Sequence, residues 1–233
     1  MAVNENKKIS FQPEIIFQAI TKYILALLFI GLLLFAPAGS FKFWNAWVFM
    51  VGLFIPMIFV MTYLIIKDPE LMQKRMKMQE KEKTQKIYVV LSIIIFIITY
   101  TIPGLDFKYH WSKVPLWLVI VATLIMIFGY FMFFTVMKQN SYASRVIEIQ
   151  KDQKVIDTGL YSVVRHPMYL AALILFGISP LVLGSFYALI PMMFIPSLLV
   201  IRILNEEKLL KNNLNGYKEY MKKIKYRLIP LIW

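Results

Sequence analysis

The stretch "MYLAALILFGISPLVLGSFYALIPMMFIPSLLVIRIL", residues 168–204, is apolar almost throughout and is too long for a single membrane crossing. A helix needs only ~20 apolar residues to span the ~30 Å hydrocarbon core of a bilayer. The sequence "LGS" at residues 183–185 offers a turn near the middle, so the stretch predicts a tight helical hairpin. We expect Pro180, Pro191 and Pro196 to kink the two arms, because proline interrupts helical hydrogen bonding.

Four further apolar runs precede this hairpin, at about residues 15–35, 44–66, 87–102 and 116–137. The 233-residue chain is 59% hydrophobic with a mean hydropathy of +0.64, whereas soluble domains average ~45–50% apolar residues. Composition and run length together predict an all-α polytopic membrane protein with about six transmembrane segments. The sequence "PGLDFKYHWSKVP", residues 103–115, is expected to end the third segment.

The basic residues predict the topology. Most Lys and Arg fall in residues 67–86, 138–166 and 205–233, and few fall in the turns between them. The positive-inside rule then places these connectors and both termini in the cytoplasm. The net charge of +13 is explained by this rule and by anionic lipid headgroups, and it does not indicate nucleic-acid binding. The Lys/Glu/Gln-rich residues 73–86 are interpreted as a solvated helix or linker without a functional motif.

We divide the chain into a four-span membrane region, residues 1–137, and a C-terminal region, residues 138–233. The second region would comprise a cytosolic connector, the hairpin and a basic C-terminal helix, with a cytosolic cofactor pocket. The N-terminal segment "MAVNENKKISFQPE" lacks the apolar core of a signal peptide, so we expect it to be retained.

Polar residues that can carry chemistry are confined to three motifs of the last third. These are "QKVIDTGLYSVVRHPMY" (153–169), "RILNEEKLL" (202–210) and "GYKEYMKKIKYRLIP" (216–230). The chain has no cysteine and only two distant histidines, so no metal site is predicted. Neither a Rossmann nor a P-loop phosphate-binding motif occurs. The first four spans lack the row of acidic residues that marks an ion pathway.

The "RHPMY" sequence predicts an anion-binding helix N-terminus. Pro167 suits the first helical position, which puts His166 at or near the N-cap. Free backbone N–H groups and the helix dipole then favour a carboxylate or phosphate. The alternative is that Arg165 and His166 only mark the membrane interface, with Tyr161 and Tyr169 in an aromatic belt.

Arg202 and Glu206 lie four residues apart, so they share a helix face and can pair. Glu207 points ~100° further round the helix. An arginine beside two carboxylates can bind a polar ligand, because arginine holds a carboxylate through two hydrogen bonds and a carboxylate accepts hydroxyl donors. The alternative is a local ion pair at the end of a span. Tyr217 and Tyr220 are expected to serve packing.

The order of the three motifs, over residues 138–230, resembles the isoprenylcysteine carboxyl methyltransferase family and the related phospholipid methyltransferases. The resemblance implies S-adenosylmethionine as methyl donor and a lipophilic acceptor, with the carboxylate of a prenylcysteine-like molecule favoured. Arg202 would face the acceptor. The resemblance assigns the donor to Gln153, Lys154, Val155, Ile156, Tyr161, His166, Pro167, Met168, Tyr169 and Glu206.

The identity of the acceptor stays open at the level of sequence. A carboxylate is already ionised near pH 7 and needs no general base. An amine, as in phospholipid N-methylation, must lose a proton, for which Glu207 is the candidate. Leu170 and Ala171 stand where many family members have a small residue such as glycine, and they are expected to narrow the pocket. We expect the acceptor to enter from the lipid, between the last spans and the fourth.

Two other classes of function compete with the methyltransferase. A membrane NADPH-dependent sterol or enone reductase would need a second basic cluster for its phosphate-rich cofactor, and none is evident. A non-enzymatic membrane scaffold would use the polar residues of the motifs only for folding. The expected partners are membrane lipids and a lipophilic or lipid-linked substrate.

Overall fold

The computed structural model describes residues 13–77, 80 and 82–233, and only the backbone of residue 83. The expected retention of the N-terminal segment concerns residues that mostly lie outside this part of the chain. Within it the fold is all-helical. The helices are α1 (Pro13–Ala38), α2 (Trp44–Lys67), α3 (Pro69–Met76), α4 (Lys83–Tyr109), α5 (Leu116–Gln139), α6 (Pro167–Gly177), α7 (Ser179–Val182), α8 (Leu189–Met192), α9 (Ile195–Asn213) and α10 (Tyr217–Lys223).

Five helical segments of the described chain are long and apolar enough to cross a membrane. They are α1, α2, α4, α5 and the continuous apolar stretch Leu189–Asn213, which contains α8 and α9. The expected sixth segment, Pro167–Val182, is apolar but shorter. At ~1.5 Å per residue it is too short to span a ~30 Å core by itself. By length and composition the described chain therefore has five candidate spans, and the shorter Pro167–Val182 forms the first arm of the hairpin.

The hairpin of residues 168–204 forms with its turn where the sequence places it. α7 ends at Val182, and Gly184 has a φ of 73°, a left-handed conformation that glycine adopts without strain. Both arms are broken into two helices, and Pro180 and Pro196 each begin the second helix of their arm. The breaks expected at Pro180 and Pro196 are thus confirmed, whereas Pro191 lies within α8.

The third segment is longer than expected, because α4 continues through Pro103 to Tyr109. Asp106, near its end, accepts hydrogen bonds from the backbone N–H and the hydroxyl of Ser112, each at 2.6 Å, and from the hydroxyl of Ser185. The carboxylate therefore ties α4 to the turn of the hairpin. The expected break at residues 103–115 occurs only after Tyr109.

Close packing at one end of the bundle leaves space at the other. A Cβ on Gly104 of α4 would lie 2.5 Å from the backbone oxygen of Leu34, so α1 and α4 approach closely at that level. The main buried core lies at the same end and combines residues of α1, α2, α4, α5 and α6 with the hairpin turn. Residues of α1 and α4 nearer their N-termini instead line a cavity. The functional site lies at that end.

Candidate functional site

A large cavity lies between the membrane helices and the connector that follows α5. Its volume is about 960 Å³, and its wall includes residues of α1 to α6, α9, α10 and the connector. The wall is polar where the connector meets the C-terminal half of α9, and it is apolar between α1, α2, α4 and α5. Such a cavity can hold a molecule that has a polar head and an apolar tail.

The structure brings most of the predicted site residues together on this wall. The residues that line it are Gln153, Lys154, Val155, Ile156, Tyr161, His166, Met168, Tyr169, Arg202 and Glu206. Pro167 and Glu207 are not part of the lining. Leu170 and Ala171 are not part of it either, so the expected narrowing of the pocket by these two residues is wrong.

The N-terminus of α6 has the predicted form. His166 is the N-cap and Pro167 the first helical residue, and the His166 side chain makes no capping hydrogen bond. The first backbone bond of the helix runs from Leu170 N to His166 O at 3.2 Å. The N–H groups of Met168 and Tyr169 therefore precede any intrahelical acceptor, and both residues line the cavity. This is the geometry that favours an anion.

Tyr169 links Arg202 to Glu206. The Tyr169 hydroxyl donates to Glu206 Oε2 at 2.5 Å and accepts from Arg202 Nε at 3.0 Å. The expected direct pairing of Arg202 with Glu206 is replaced by this bridge. The guanidinium also lies over the Tyr169 ring at 5.9 Å, within the range of a cation–π contact.

Arg202 finds its other partners on the connector between α3 and α4, in the first turn of α4 and on the connector that follows α5. Glu80 Oε1 accepts from both Nη atoms at 3.1 Å, Gln85 Oε1 from Nη1 at 2.8 Å, and the Arg145 carbonyl from Nη2 at 2.8 Å. All five N–H donors of Arg202 are thereby engaged. Glu80 is 8% exposed and Gln85 1%. The interpretation of residues 73–86 as a solvated helix or linker without a functional motif is therefore wrong for Glu80 and Gln85.

Glu207, which does not line the cavity, is the centre of a second ion cluster. Its Oε1 lies 2.7 Å from Arg165 Nε and 3.3 Å from His166 Nε2, and its Oε2 lies 2.8 Å from Arg227 Nε. Arg165 also donates to the carbonyls of Ile224 and Lys225. The cluster joins the three motifs. Because Arg165, His166 and Arg202 are all buried, the alternatives that they only mark the interface or form a surface ion pair are contradicted.

Tyr161 closes the wall beside the connector. Its hydroxyl accepts from Asn140 Nδ2 at 2.8 Å, and its backbone oxygen accepts from the Tyr220 hydroxyl at 2.7 Å. Burial raises the pKa of Tyr161 to about 12, so its ring is a neutral phenol at physiological pH. A neutral electron-rich ring can stabilise a cation lying over its face.

Tyr217 presents an unsatisfied hydroxyl at the cavity. The residue is 4% exposed, lines the wall and packs against Tyr220, which confirms its packing role. Its Oη is buried and has no hydrogen-bond partner among the described residues. An unpaired buried hydroxyl costs about 1–3 kcal/mol.

Sequence reasoning missed the residues supplied by the α3–α4 region. Arg75, Glu80 and Gln85 all lie in the charged connector, where a residue that contacts the site looks like its solvated neighbours. An alternation of apolar and polar residues was the only local signal: Leu71 and Met72, which precede Arg75, are buried. Among the described residues, no group of three or more His, Cys, Asp or Glu side chains could hold a metal.

The fold and this site define an integral, multi-pass membrane protein with a cavity that joins a polar end to an apolar one. Residues 118–212 match the model of the Isoprenylcysteine carboxyl methyltransferase (ICMT) family. The chain thus carries an ICMT-family domain, which confirms the resemblance and indicates a membrane methyltransferase. The match begins in α5 and ends in α9, before the third motif. No curated protein matches the chain.

Proposed function

We propose that the protein is an S-adenosylmethionine-dependent methyltransferase that acts on a lipophilic carboxylate, such as a prenylcysteine-like molecule. The observation that carries the proposal is one cavity whose polar end is built from the family motifs and whose apolar end lies among the membrane helices. The polar end suits the methyl donor, and the apolar end suits the tail of the acceptor.

The residues at the polar end fit the donor's functional groups. The N–H groups at the start of α6 suit its methionine carboxylate, and Glu206 suits its amino or hydroxyl hydrogens. The rings of Tyr161 and Tyr169 can stabilise its sulfonium. When bound, the donor supplies an activated methyl group, and the chain's own task is to bind and orient.

The charge of the wall favours an anionic acceptor over an amine. Its described side chains include three glutamates and a larger number of cations. The glutamates are Glu80, Glu148 and Glu206, and the cations are Lys22, Arg75, Arg145, Lys154, Arg165 and Arg202. A carboxylate acceptor is ionised near pH 7 and needs no base. An amine would need one, and both oxygens of Glu207 are already engaged by Arg165, His166 and Arg227.

Catalysis by this site would rest on alignment and on exclusion of water. Arg202 is buried, and hydrogen bonds link it through Tyr169 to Glu206, so these three side chains can hold the donor and the acceptor in a fixed relation. Glu80 and Gln85 hold Arg202 in place from the other side. We assign Arg202 a role in ordering the acceptor end of the site.

The proposal includes a route for the acceptor and a side of the membrane. Leu25 of α1 and Ile93 of α4 line the apolar part of the cavity and are also exposed on the outer surface of the bundle. This supports entry from the lipid between the N-terminal halves of α1 and α4, in place of the expected entry between the last spans and the fourth. The concentration of Lys and Arg on the connectors supports a polar end that faces the cytoplasm.

The test is a calorimetric titration of detergent-purified protein with S-adenosylmethionine, S-adenosylhomocysteine and NADPH. We expect the two adenosyl ligands to bind at micromolar concentration and NADPH not to bind. Glu206→Gln should abolish this binding, because the substitution removes the carboxylate charge at the cavity wall. Glu219→Gln is the matched control, since Glu219 is exposed on α10 and does not line the cavity.

Each other outcome points to a different class. Binding of NADPH alone would assign the protein to the reductases. Failure of folded wild-type protein to bind any of the three ligands would favour a non-enzymatic scaffold. If the adenosyl ligands bind, incubation with labelled donor and either a prenylcysteine or an amine-bearing phospholipid distinguishes carboxyl from amine methylation.

A further inference from the structure

Arg75 is a partly buried cation of the cavity wall with unused hydrogen-bond donors. It lies on α3, outside the family match, and its guanidinium stands 5.0 Å from the ring centre of Phe133. Its Nη1 donates to the Ala143 carbonyl at 2.8 Å and lies 3.4 Å from Met168 Sδ. The Nε and Nη2 donors have no protein acceptor in the described part of the chain.

No carboxylate of the described residues forms a salt bridge with Arg75. Burial, together with the positive charge of Arg145, lowers its pKa to about 10. The two arginines that are buried at the polar end differ from it, since Arg165 pairs with Glu207 and Arg202 with Glu80. Partial removal of a charge from water is costly unless the charge is paired, so the anion that compensates Arg75 is to be sought in a ligand that enters the cavity.

A second anion-binding feature lies beside Arg75. Its contact with Met168 places the guanidinium next to the N-terminus of α6, where the N–H groups of Met168 and Tyr169 precede any intrahelical acceptor. Helix N-termini and arginines both favour carboxylates, the first through backbone donors and the second through charge and a forked set of donors. Arg202, by contrast, has no donor left for a ligand.

We propose that Arg75 binds the carboxylate of a substrate held in the cavity. This inference rests on the proposed methyltransferase function and transfers to Arg75 the carboxylate-binding role that the motif pattern predicts for Arg202. Two carboxylates meet the same chemistry, the methionine carboxylate of the donor and the carboxylate of the acceptor. Either carboxylate would neutralise the guanidinium and accept hydrogen bonds from its Nε and Nη2.

The experiment compares the binding of two adenosyl ligands by calorimetry. S-adenosylhomocysteine carries the amino-acid carboxylate, and methylthioadenosine lacks it. The variants are Arg75→Met and Arg75→Lys, with Lys74→Met as control, because Lys74 lies on the same helix but does not line the cavity. Loss of a charged hydrogen-bonding partner should weaken binding by about 10- to 100-fold.

If Arg75 binds the donor, Arg75→Met weakens the binding of S-adenosylhomocysteine by about 10- to 100-fold and leaves the affinity for methylthioadenosine unchanged. Arg75→Lys should then restore part of the affinity for S-adenosylhomocysteine. If Arg75 binds the acceptor, both adenosyl ligands bind normally and the KM for a prenylcysteine carboxylate rises by a similar factor while kcat changes little. Lys74→Met should match the wild type in every assay.

The melting temperature of the ligand-free protein separates binding from a structural role. Removing an unpaired, partly buried charge should leave it unchanged or raise it. The proposal is overturned if Arg75→Met lowers this melting temperature and leaves both the donor affinity and the acceptor KM at wild-type values. If wild-type protein itself binds no adenosyl ligand, it is the proposed function that fails, and the wild-type titration alone reveals it.

Discussion

Glu206 and Glu207, the adjacent carboxylates of α9, should respond differently when each is replaced by glutamine. Glu207 is 4% exposed and its oxygens contact Arg165, His166 and Arg227. Glu206 lines the cavity, and in the described part of the chain its side chain accepts one hydrogen bond, from Tyr169. A change from Glu to Gln keeps the shape of either side chain and removes its charge. We therefore expect Glu207→Gln to affect stability and Glu206→Gln to affect ligand binding.

The magnitudes follow from the contacts that each variant loses. Glu207→Gln leaves a buried arginine without its carboxylate, and breaking a buried ion pair costs about 3–5 kcal/mol. In a chain of this size about 2–4 °C of melting temperature is lost per kcal/mol, so the expected shift is roughly 6–20 °C. Glu206→Gln keeps an oxygen that can accept from Tyr169, and a single hydrogen bond contributes only about 1 kcal/mol.

Thermal unfolding in detergent, followed by intrinsic tryptophan fluorescence, measures this difference. The chain contains five tryptophans and no cysteine, so a thiol-reactive dye would not report on it. Calorimetry with S-adenosylhomocysteine on the same samples completes the comparison. Equal losses of melting temperature in the two variants would refute the division of roles, as would normal ligand binding by a folded Glu206→Gln protein.

Three further predictions address the connector, the helix packing and the topology. Glu80→Ala should lower turnover and cost about 3 kcal/mol of stability, because it deprives a buried guanidinium of its carboxylate; a wild-type melting temperature and rate would show that the contact is incidental. Gly104→Ala places a Cβ 2.5 Å from a backbone oxygen of α1 and should lower the melting temperature by several degrees, while Gly177→Ala, whose Cβ meets only a flexible leucine at 3.8 Å, should not; similar values for the two variants would contradict the close approach of α1 and α4. In intact cells a membrane-impermeant maleimide should label Lys42→Cys and not Lys151→Cys, since both positions are exposed and the native chain has no cysteine; the reverse pattern would invert the topology.

Much of the fold could be predicted because its signals are local. The length of an apolar run and the position of Pro167 act within a few residues, so the spans, the hairpin turn and the start of α6 appear directly in the sequence. Predictions failed where tertiary contacts override local preference. α4 continues through Pro103 because its end is fixed by Asp106 against the hairpin turn, and no local pattern announces that contact.

The candidate site divides in the same way. The three motifs identified Tyr169, Arg202 and Glu206 because each combines an unusual polar residue with an apolar surrounding. Arg75 and Glu80 carry no such signal, since a charged residue in a charged connector is ordinarily solvated. Both residues come to line the cavity only when α3 and the connector after it pack over the open end of the helix bundle.

The sequence by itself determined that this is a helical membrane protein, where its helices begin and turn, and which family its C-terminal half resembles, because these properties depend on hydrophobicity, proline and short motifs. Only the tertiary structure decided which of the two carboxylates, Glu206 or Glu207, meets the cavity, since a step of one residue turns a helical side chain by ~100° and packing selects the face. It also decided that the N–H donors of Arg202 are all used within the described part of the protein, by Glu80 and Gln85 among others, whereas two donors of Arg75 are not. The physical reason is that ion pairing depends on distance in space. The arginine and the carboxylate of each buried ion pair come from residues that are far apart in the chain.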